Sequence, residues 1–172
     1  MNATARLFVL EAGVTDGSDL HSLTKVIFAA CADATLDIAG ARSSQLDYET
    51  VSGDVSDAVE LLTAGHFSTI RLRTVACDPS ILNIFRPNFD ESNIPLWTVT
   101  ADCSRESGAK LFSVLQQLPT VSYVVLTVEE SLDLSAEHFT ERSFPWTDER
   151  LVKAAVFDGG HWQIRDGLSS TA

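Results

Sequence analysis

The apolar run from Val121 to Val128 (VSYVVLTV) constrains the fold more than any other stretch of this chain. Its content of β-branched residues and its short length are typical of a strand. Because no charge interrupts the run, neither face of the strand suits contact with water, and this is the pattern of a strand at the centre of a sheet. We therefore expect a sheet built around these residues.

The first 75 residues alternate between the periods of a strand and of a helix. Strands are predicted at 6–11, 35–39, 46–51 and 68–75, and helices are predicted to begin near 18–19 and 54–56. The resulting order, β-α-β-β-α-β, is that of a ferredoxin-like unit. We expect the first half to form such a unit.

The second half begins with a connector over residues 78–85, in which Asp78-Pro79 suits the cap and first turn of a short helix. Residues 96–101 predict a strand, and Asp102 or Ser104 can cap a helix that runs over residues 110–118. Its sequence therefore continues the alternation of strands and helices.

The clearest local signal is a hairpin near the C-terminus. Gly159-Gly160 separates two alternating segments, Val152–Phe157 and His161–Arg165, and a two-residue glycine turn is typical of paired strands. Such a turn predicts the cross-strand pairs Phe157 with Trp162 and Ala155 with Ile164, which together make one apolar face.

These patterns predict an α/β chain, with α+β as the alternative. We expect a single-domain sandwich over residues 1–172, with a mixed sheet of roughly seven to eight strands and about three main helices. Two sub-halves, 1–75 and 96–168, would be joined by residues 76–95. Residues 46–75 and 96–128 share the order strand, acidic cap, helix, strand, which indicates either an internal duplication or the chance likeness of any such chain.

Charge limits the choice of partner. The chain carries 24 acidic and 12 basic residues, a net charge of −12. The balance is −7 over residues 1–66, zero over 67–128 and −5 over 129–172. Because such a field repels phosphate backbones and attracts basic surfaces, we expect no binding to nucleic acid and a basic protein as the partner.

The cysteines and the hydropathy pattern indicate the compartment. Cys31, Cys77 and Cys103 are odd in number and widely separated, which favours reduced thiols. No apolar stretch approaches the roughly 20 residues that a membrane helix needs. We expect a cytoplasmic protein that does not bind membranes.

One segment resembles a reactive site. Asp102, Cys103, Ser104 and Arg105 follow a predicted strand and open a predicted helix, and helix amides together with Arg105 would lower a thiol pKa. The phosphatase-type loop needs arginine six positions after its cysteine, where this chain has Ala109. The favoured interpretation is structural, with a capping residue and a cysteine that fills a small apolar space.

Other catalytic patterns are missing from the sequence. The four histidines lie more than five residues apart, and no nucleophile elbow or glycine-rich phosphate loop occurs. We expect neither a metal nor a cofactor.

The segment from Glu129 to Arg150 mixes acids with aromatic residues. An acidic rim around aromatic anchors is the composition of a contact surface for a basic partner. The alternative is that the aromatic rings cover the sheet while the acids remain exposed. The predicted partner-binding residues are Asp133, Glu137, Phe139, Glu141, Phe144, Trp146, Asp148 and Glu149.

Three classes of function fit these observations. The first is a binding protein that neutralises or escorts a basic partner, as nuclease inhibitors, antitoxins and toxin-immunity proteins do. The second is a small enzyme with a site around Cys103, Asp102 and Arg105. The third is a homo-oligomeric assembly subunit that pairs through Val121–Val128 or an exposed strand edge.

Overall fold

The computed structural model describes residues 6–28, 35–40, 48–51, 55–64, 67–73, 78–85, 97–132, 134 and 136–171. These residues form nine strands, three α-helices and one 3-10 turn at Ala136–His138. The strands are β1 (Phe8–Val14), β2 (Thr35–Gly40), β3 (Tyr48–Val51), β4 (Phe67–Arg73), β5 (Ile81–Phe85), β6 (Trp97–Cys103), β7 (Val121–Val128), β8 (Leu151–Asp158) and β9 (His161–Asp166). The helices are α1 (Gly17–Phe28), α2 (Val55–Thr63) and α3 (Arg105–Gln117).

The strands form one sheet in the order β3-β2-β4-β5-β6-β1-β7-β8-β9, and every neighbouring pair is antiparallel. The chain is therefore an α+β protein dominated by its sheet, and the predicted mixed sheet is wrong. The physical reason is that each helix joins two parallel strands with at least one other strand between them. No two parallel strands in the described chain are neighbours.

Two units of the sheet share one topology. In β3-α2-β4 the strand β2 lies between the two parallel strands, and in β6-α3-β7 the strand β1 takes the same place. Each is a split β-α-β unit. The outer neighbours also correspond, because β5 follows β4 in one unit and β8 follows β7 in the other. The predicted likeness of these segments thus extends to their strand order.

The first half does not form a separate ferredoxin-like sheet. Its order of elements is as predicted, but β1 pairs with β6 and β7 and not with β2, β3 or β4. Both candidate halves therefore share one sheet.

All three helices pack on one face of the sheet around a continuous core. In β1, Phe8, Leu10, Ala12 and Val14 are buried on this face. The helices bury apolar residues at helical spacing against them: Leu20 and Leu23 of α1, Ala58, Val59 and Leu62 of α2, and Leu111, Phe112 and Leu115 of α3. We call this face the helix side.

The opposite face of β7 and β8 is covered by the described residues of the segment 129–150, which we call the outer segment. Its Leu132 and Phe144 are buried against Tyr123, Val125 and Leu151 of the sheet. The prediction of a buried β7 is confirmed, since β1 and β8 pair with its two edges and side chains cover both faces. Both edges of Val121–Val128 are thus occupied by strands of the same chain, which leaves the exposed strand edge for the predicted self-association.

Two local predictions for the second half have opposite outcomes. The hairpin is confirmed: β8 and β9 pair with Phe157 opposite Trp162 and Ala155 opposite Ile164, and both turn glycines have positive φ. The short helix predicted through Phe85 is wrong. Residues 81–85 instead form β5, whose buried and part-exposed residues alternate with period two.

Candidate functional site

The strand-to-helix junction around Cys103 has the geometry of a structural cysteine. The residue is 5% exposed, and its Sγ contacts the carbonyl oxygen of Phe8 at 3.7 Å. Burial, together with the negative charges of Asp78 and Asp102, raises the pKa of the thiol to about 12. A thiol with that pKa is protonated at neutral pH and is a poor nucleophile.

The other residues of this junction cap α3. Ser104 Oγ accepts a hydrogen bond from the backbone N–H of Ser107, as an N-cap residue does. Ser104 in turn donates its backbone N–H to Asp78 Oδ1 at 3.0 Å and its hydroxyl to the same carboxylate. The predicted cap is therefore confirmed at Ser104, and Asp78 from the preceding connector completes it.

Asp102 and Arg105 point to different surroundings. The side chain of Asp102 lies on the face of the sheet away from the helices. Its cross-strand neighbours are Val9 of β1 and Ile81 of β5, and partial burial raises its pKa. Arg105 is exposed and donates from Nη2 to the carbonyl oxygen of Ser170 at 2.5 Å. The junction thus does not gather Cys103, Asp102 and Arg105 into one cleft.

The aromatic residues of the outer segment pack on the sheet. Phe144 is buried, the Phe139 ring stacks on Tyr123 with centroids 4.3 Å apart, and the Trp146 indole N–H donates to the carbonyl oxygen of Glu141 at 2.7 Å. Phe139 and Trp146 remain partly exposed. Of the predicted aromatic anchors, these two are the ones that a partner can still reach.

The acidic residues of the outer segment differ in their surroundings. Asp148 forms a bidentate ion pair with Arg150. The hydrogen bonds from the guanidinium hold the pKa of the aspartate below its ordinary value. Glu141 pairs with Arg165 Nη2 at 2.8 Å. Glu137 and Glu149 are exposed, and Asp133 lies outside the described residues.

Arg165 connects the outer segment to the edge of the sheet. Its guanidinium lies 4.7 Å from the centroid of the Trp146 ring, in addition to its ion pair with Glu141. Because Arg165 belongs to β9, these contacts join the outer segment to the last strand of the sheet.

The helix side of β8 and β9 carries an exposed apolar strip that consists of Phe157, Trp162 and Ile164. Phe157 is 47% exposed and Ile164 is 45% exposed, and Trp162 is partly buried. These are large apolar surfaces to leave in water, and contiguous patches of this kind mark interaction sites. The sequence predicted the strip but not its exposure.

The strand β9 is also an open edge. In a two-residue hairpin the closing residues, Asp158 and His161, exchange both backbone hydrogen bonds, and every second residue repeats the pattern. Gly167 continues it by donating to the carbonyl oxygen of Val152 at 2.8 Å. The backbone N–H groups of Trp162, Ile164 and Asp166 therefore point away from β8, and no described strand pairs with them.

A separate polar cluster lies on the far part of the sheet. The carboxylate of Asp37 is 1% exposed and accepts hydrogen bonds from Arg73 Nε at 2.5 Å, from Thr50 Oγ1 at 2.7 Å and from Arg71 Nε at 3.3 Å. The Arg73 hydrogen bond lowers the pKa of Asp37 from 3.8 to about 2, while burial opposes that shift. This arrangement satisfies a buried charge and ties β2 to β3 and β4.

No group of three or more histidine, cysteine or acidic side chains in the described chain could hold a metal ion. Nor does any described helix have both the length and the apolar character needed to cross a membrane.

Comparisons with models of known protein families, with curated proteins and with solved structures find no match to this chain. The functional assignment therefore depends on the geometry above.

Proposed function

We propose that this chain is a binding protein for a basic protein partner, acting as an inhibitor, antitoxin or immunity protein does. The observation that supports it best is the open edge of β9, which carries exposed Ile164 on the helix side and, on its other face, Arg165 in an ion pair with Glu141 of the outer segment. The proposal places this activity in the cytoplasm, where a free thiol such as that of Cys103 stays reduced.

Charge favours a basic partner over a neutral one. Residues 129–172 carry nine acids and four bases, and Arg150 and Arg165 among those bases already form ion pairs within the chain. The exposed glutamates of the outer segment thus dominate the field at this end of the sheet. Such a field accelerates the encounter with a basic surface and disfavours acidic competitors.

The edge suggests how that partner binds. An extended segment that adds a tenth strand would hydrogen-bond to the outward N–H groups of Trp162, Ile164 and Asp166. Its apolar side chains would pack on the exposed strip, and basic side chains on its other face would meet Glu137 and Glu149. In this arrangement the backbone supplies affinity and the alternating side chains supply specificity.

Self-association through the same edge is the second candidate. An open, apolar edge strand is a ready site for pairing with another copy. A net charge of −12 on each copy opposes that pairing at low ionic strength. A defined oligomer in sedimentation at micromolar concentration would favour this candidate over the first.

The test is capture of proteins from a native lysate at low salt on three immobilised forms: the wild type, Ile164→Lys and Leu61→Lys. Leu61 is 43% exposed on α2, so its replacement is matched in chemistry and exposure but lies away from the edge. We expect one basic protein to be retained by the wild type and by Leu61→Lys and to elute as salt rises. Ile164→Lys should lose it, because a lysine on the edge repels both pairing and a basic partner.

Retention of the same proteins by all three forms would show that the partner does not bind at the open edge of β9. Retention of no basic protein, or retention that resists high salt, would contradict the proposal of a basic partner.

A further inference from the structure

A cavity of about 220 Å³ lies between α3 and the C-terminal hairpin, on the helix side of the sheet. Its floor is apolar and is made by Phe112, Leu126 and Val152. Its rim is polar and includes Lys153, Arg105 and Ser170. An apolar floor with a few convergent polar groups is the composition of a small-molecule site.

Lys153 is the unusual residue of this cavity. It is partly buried, and its Nζ lies 5.0 Å from the centroid of the Phe112 ring. Asp166 is its cross-strand neighbour on β9, yet the two side chains form no ion pair. Within the described chain the ammonium group of Lys153 lies over the Phe112 ring and forms no ion pair. In a protein of net charge −12, a cation that lies over an aromatic ring and forms no ion pair is a strong electrostatic feature.

Arg105 of α3 supplies a second cation to the lining of the cavity. Its Nη2 is held by the carbonyl oxygen of Ser170, which fixes the guanidinium at the rim. Two cations over an apolar floor favour a ligand with a negative head and an apolar body. Asp166 at the same rim disfavours a ligand with several negative charges.

We propose that this cavity binds a small organic anion, with its carboxylate between Lys153 and Arg105 and its hydrocarbon body over Phe112. The volume is below the roughly 300 to 1,000 Å³ typical of sites for drug-sized ligands, so the ligand is compact. This site lies on the helix side and the outer segment covers the other face of the sheet, although Asp166 belongs both to this site and to the open edge of β9.

The test is a titration of the full chain with benzoate, followed by the backbone amide shifts of Ser113, Val152 and Asp166. We expect saturable shifts with a Kd of about 1 mM or tighter. Lys153→Met keeps an apolar stem over Phe112 and removes the charge, and we expect it to weaken benzoate binding about tenfold or more. Neutral benzamide should bind the wild type more weakly by a similar factor.

Lys110→Met is the matched control, because Lys110 lies on α3, pairs with Glu106 and does not line the cavity. It should bind benzoate as the wild type does. Arg105→Gln provides a second cavity variant should Lys153→Met lose its cooperative unfolding transition, and it should also weaken benzoate binding. Equal affinity of the cavity variants and the wild type, equal binding of benzamide, or no saturable shift would overturn the proposal.

Discussion

Phe157 and Trp162 meet edge to face across the C-terminal hairpin, with ring centroids 5.4 Å apart. Such a pair normally stabilises a hairpin from within a core. Here Phe157 remains 47% exposed, because the pair lies beyond the part of the sheet that α3 covers. The hairpin therefore presents a preformed apolar surface next to an unpaired strand edge, and the proposed function depends on that combination.

Cys103 should be unreactive in the native protein. With the pKa raised from 9.0 to about 12, its thiolate is about a thousandfold less populated than that of an unperturbed cysteine. In a Cys31→Ser, Cys77→Ser background, we expect iodoacetamide to modify Cys103 only as fast as the protein opens. Urea-unfolded protein serves as the reference, and native alkylation at the rate of that reference would contradict the structural role.

Asp37 should contribute an acid-sensitive part of the stability. Its pKa is lower in the folded state than in the unfolded state, so its contribution is complete above about pH 4 and is lost as the pH falls towards 2. One pKa unit corresponds to about 1.4 kcal/mol, and the half-exposed Arg73 reduces the effect, so we expect about 1 to 2 kcal/mol.

Urea titrations of the wild type and Asp37→Asn between pH 2 and 7 measure this contribution. Asp37→Asn should be less stable at pH 7 and should change less between pH 4 and 2. Asp57→Asn, at an exposed position of α2, is the control. Parallel curves for the wild type and Asp37→Asn over that pH interval would show that the arginine contacts contribute nothing.

Gly167 should tolerate no side chain. A Cβ at this position would lie 2.1 Å from the carbonyl oxygen of Leu151, so the backbone after β9 would have to move. We expect Gly167→Ala to lower the free energy of unfolding by about 1 to 3 kcal/mol. The neighbouring Leu168, which is exposed, provides the comparison: Leu168→Ala should change it by less than about 0.5 kcal/mol. Equal stability of the two variants would contradict the close packing at Gly167.

Local signals predicted the hairpin and the cap of α3 correctly. Gly159 and Gly160 both adopt positive φ, which these glycines allow at little cost, and Ser104 precedes α3 as an N-cap should. The helix predicted through Phe85 was wrong because Asp78-Pro79 resembled a helix start. In the structure the carboxylate of Asp78 instead accepts a hydrogen bond from the backbone N–H of Ser104, the N-cap of α3. The alternation of Ile81–Phe85 was the signal for a strand.

Long-range features could not be predicted from the sequence. The insertion of β1 between β6 and β7 is determined by packing between residues about 80 to 120 positions apart, and no local pattern encodes it. The acids of the outer segment were identified from charge alone. That β9 forms an open edge beside them follows only from the strand order.

The salt dependence of association tests the central claim most directly. The captured basic partner is purified, and its association rate is measured from low to high ionic strength with two double variants. The first carries Glu137→Gln and Glu149→Gln, and the second carries Asp57→Asn and Glu60→Gln. Both double variants remove two exposed acids, but the second pair lies on α2, away from the hairpin. We expect the first double variant to associate about fivefold more slowly at low salt, with a shallower salt dependence, and the second to match the wild type. Equal rates for the two double variants, or a rate that does not respond to salt, would contradict binding through the outer segment.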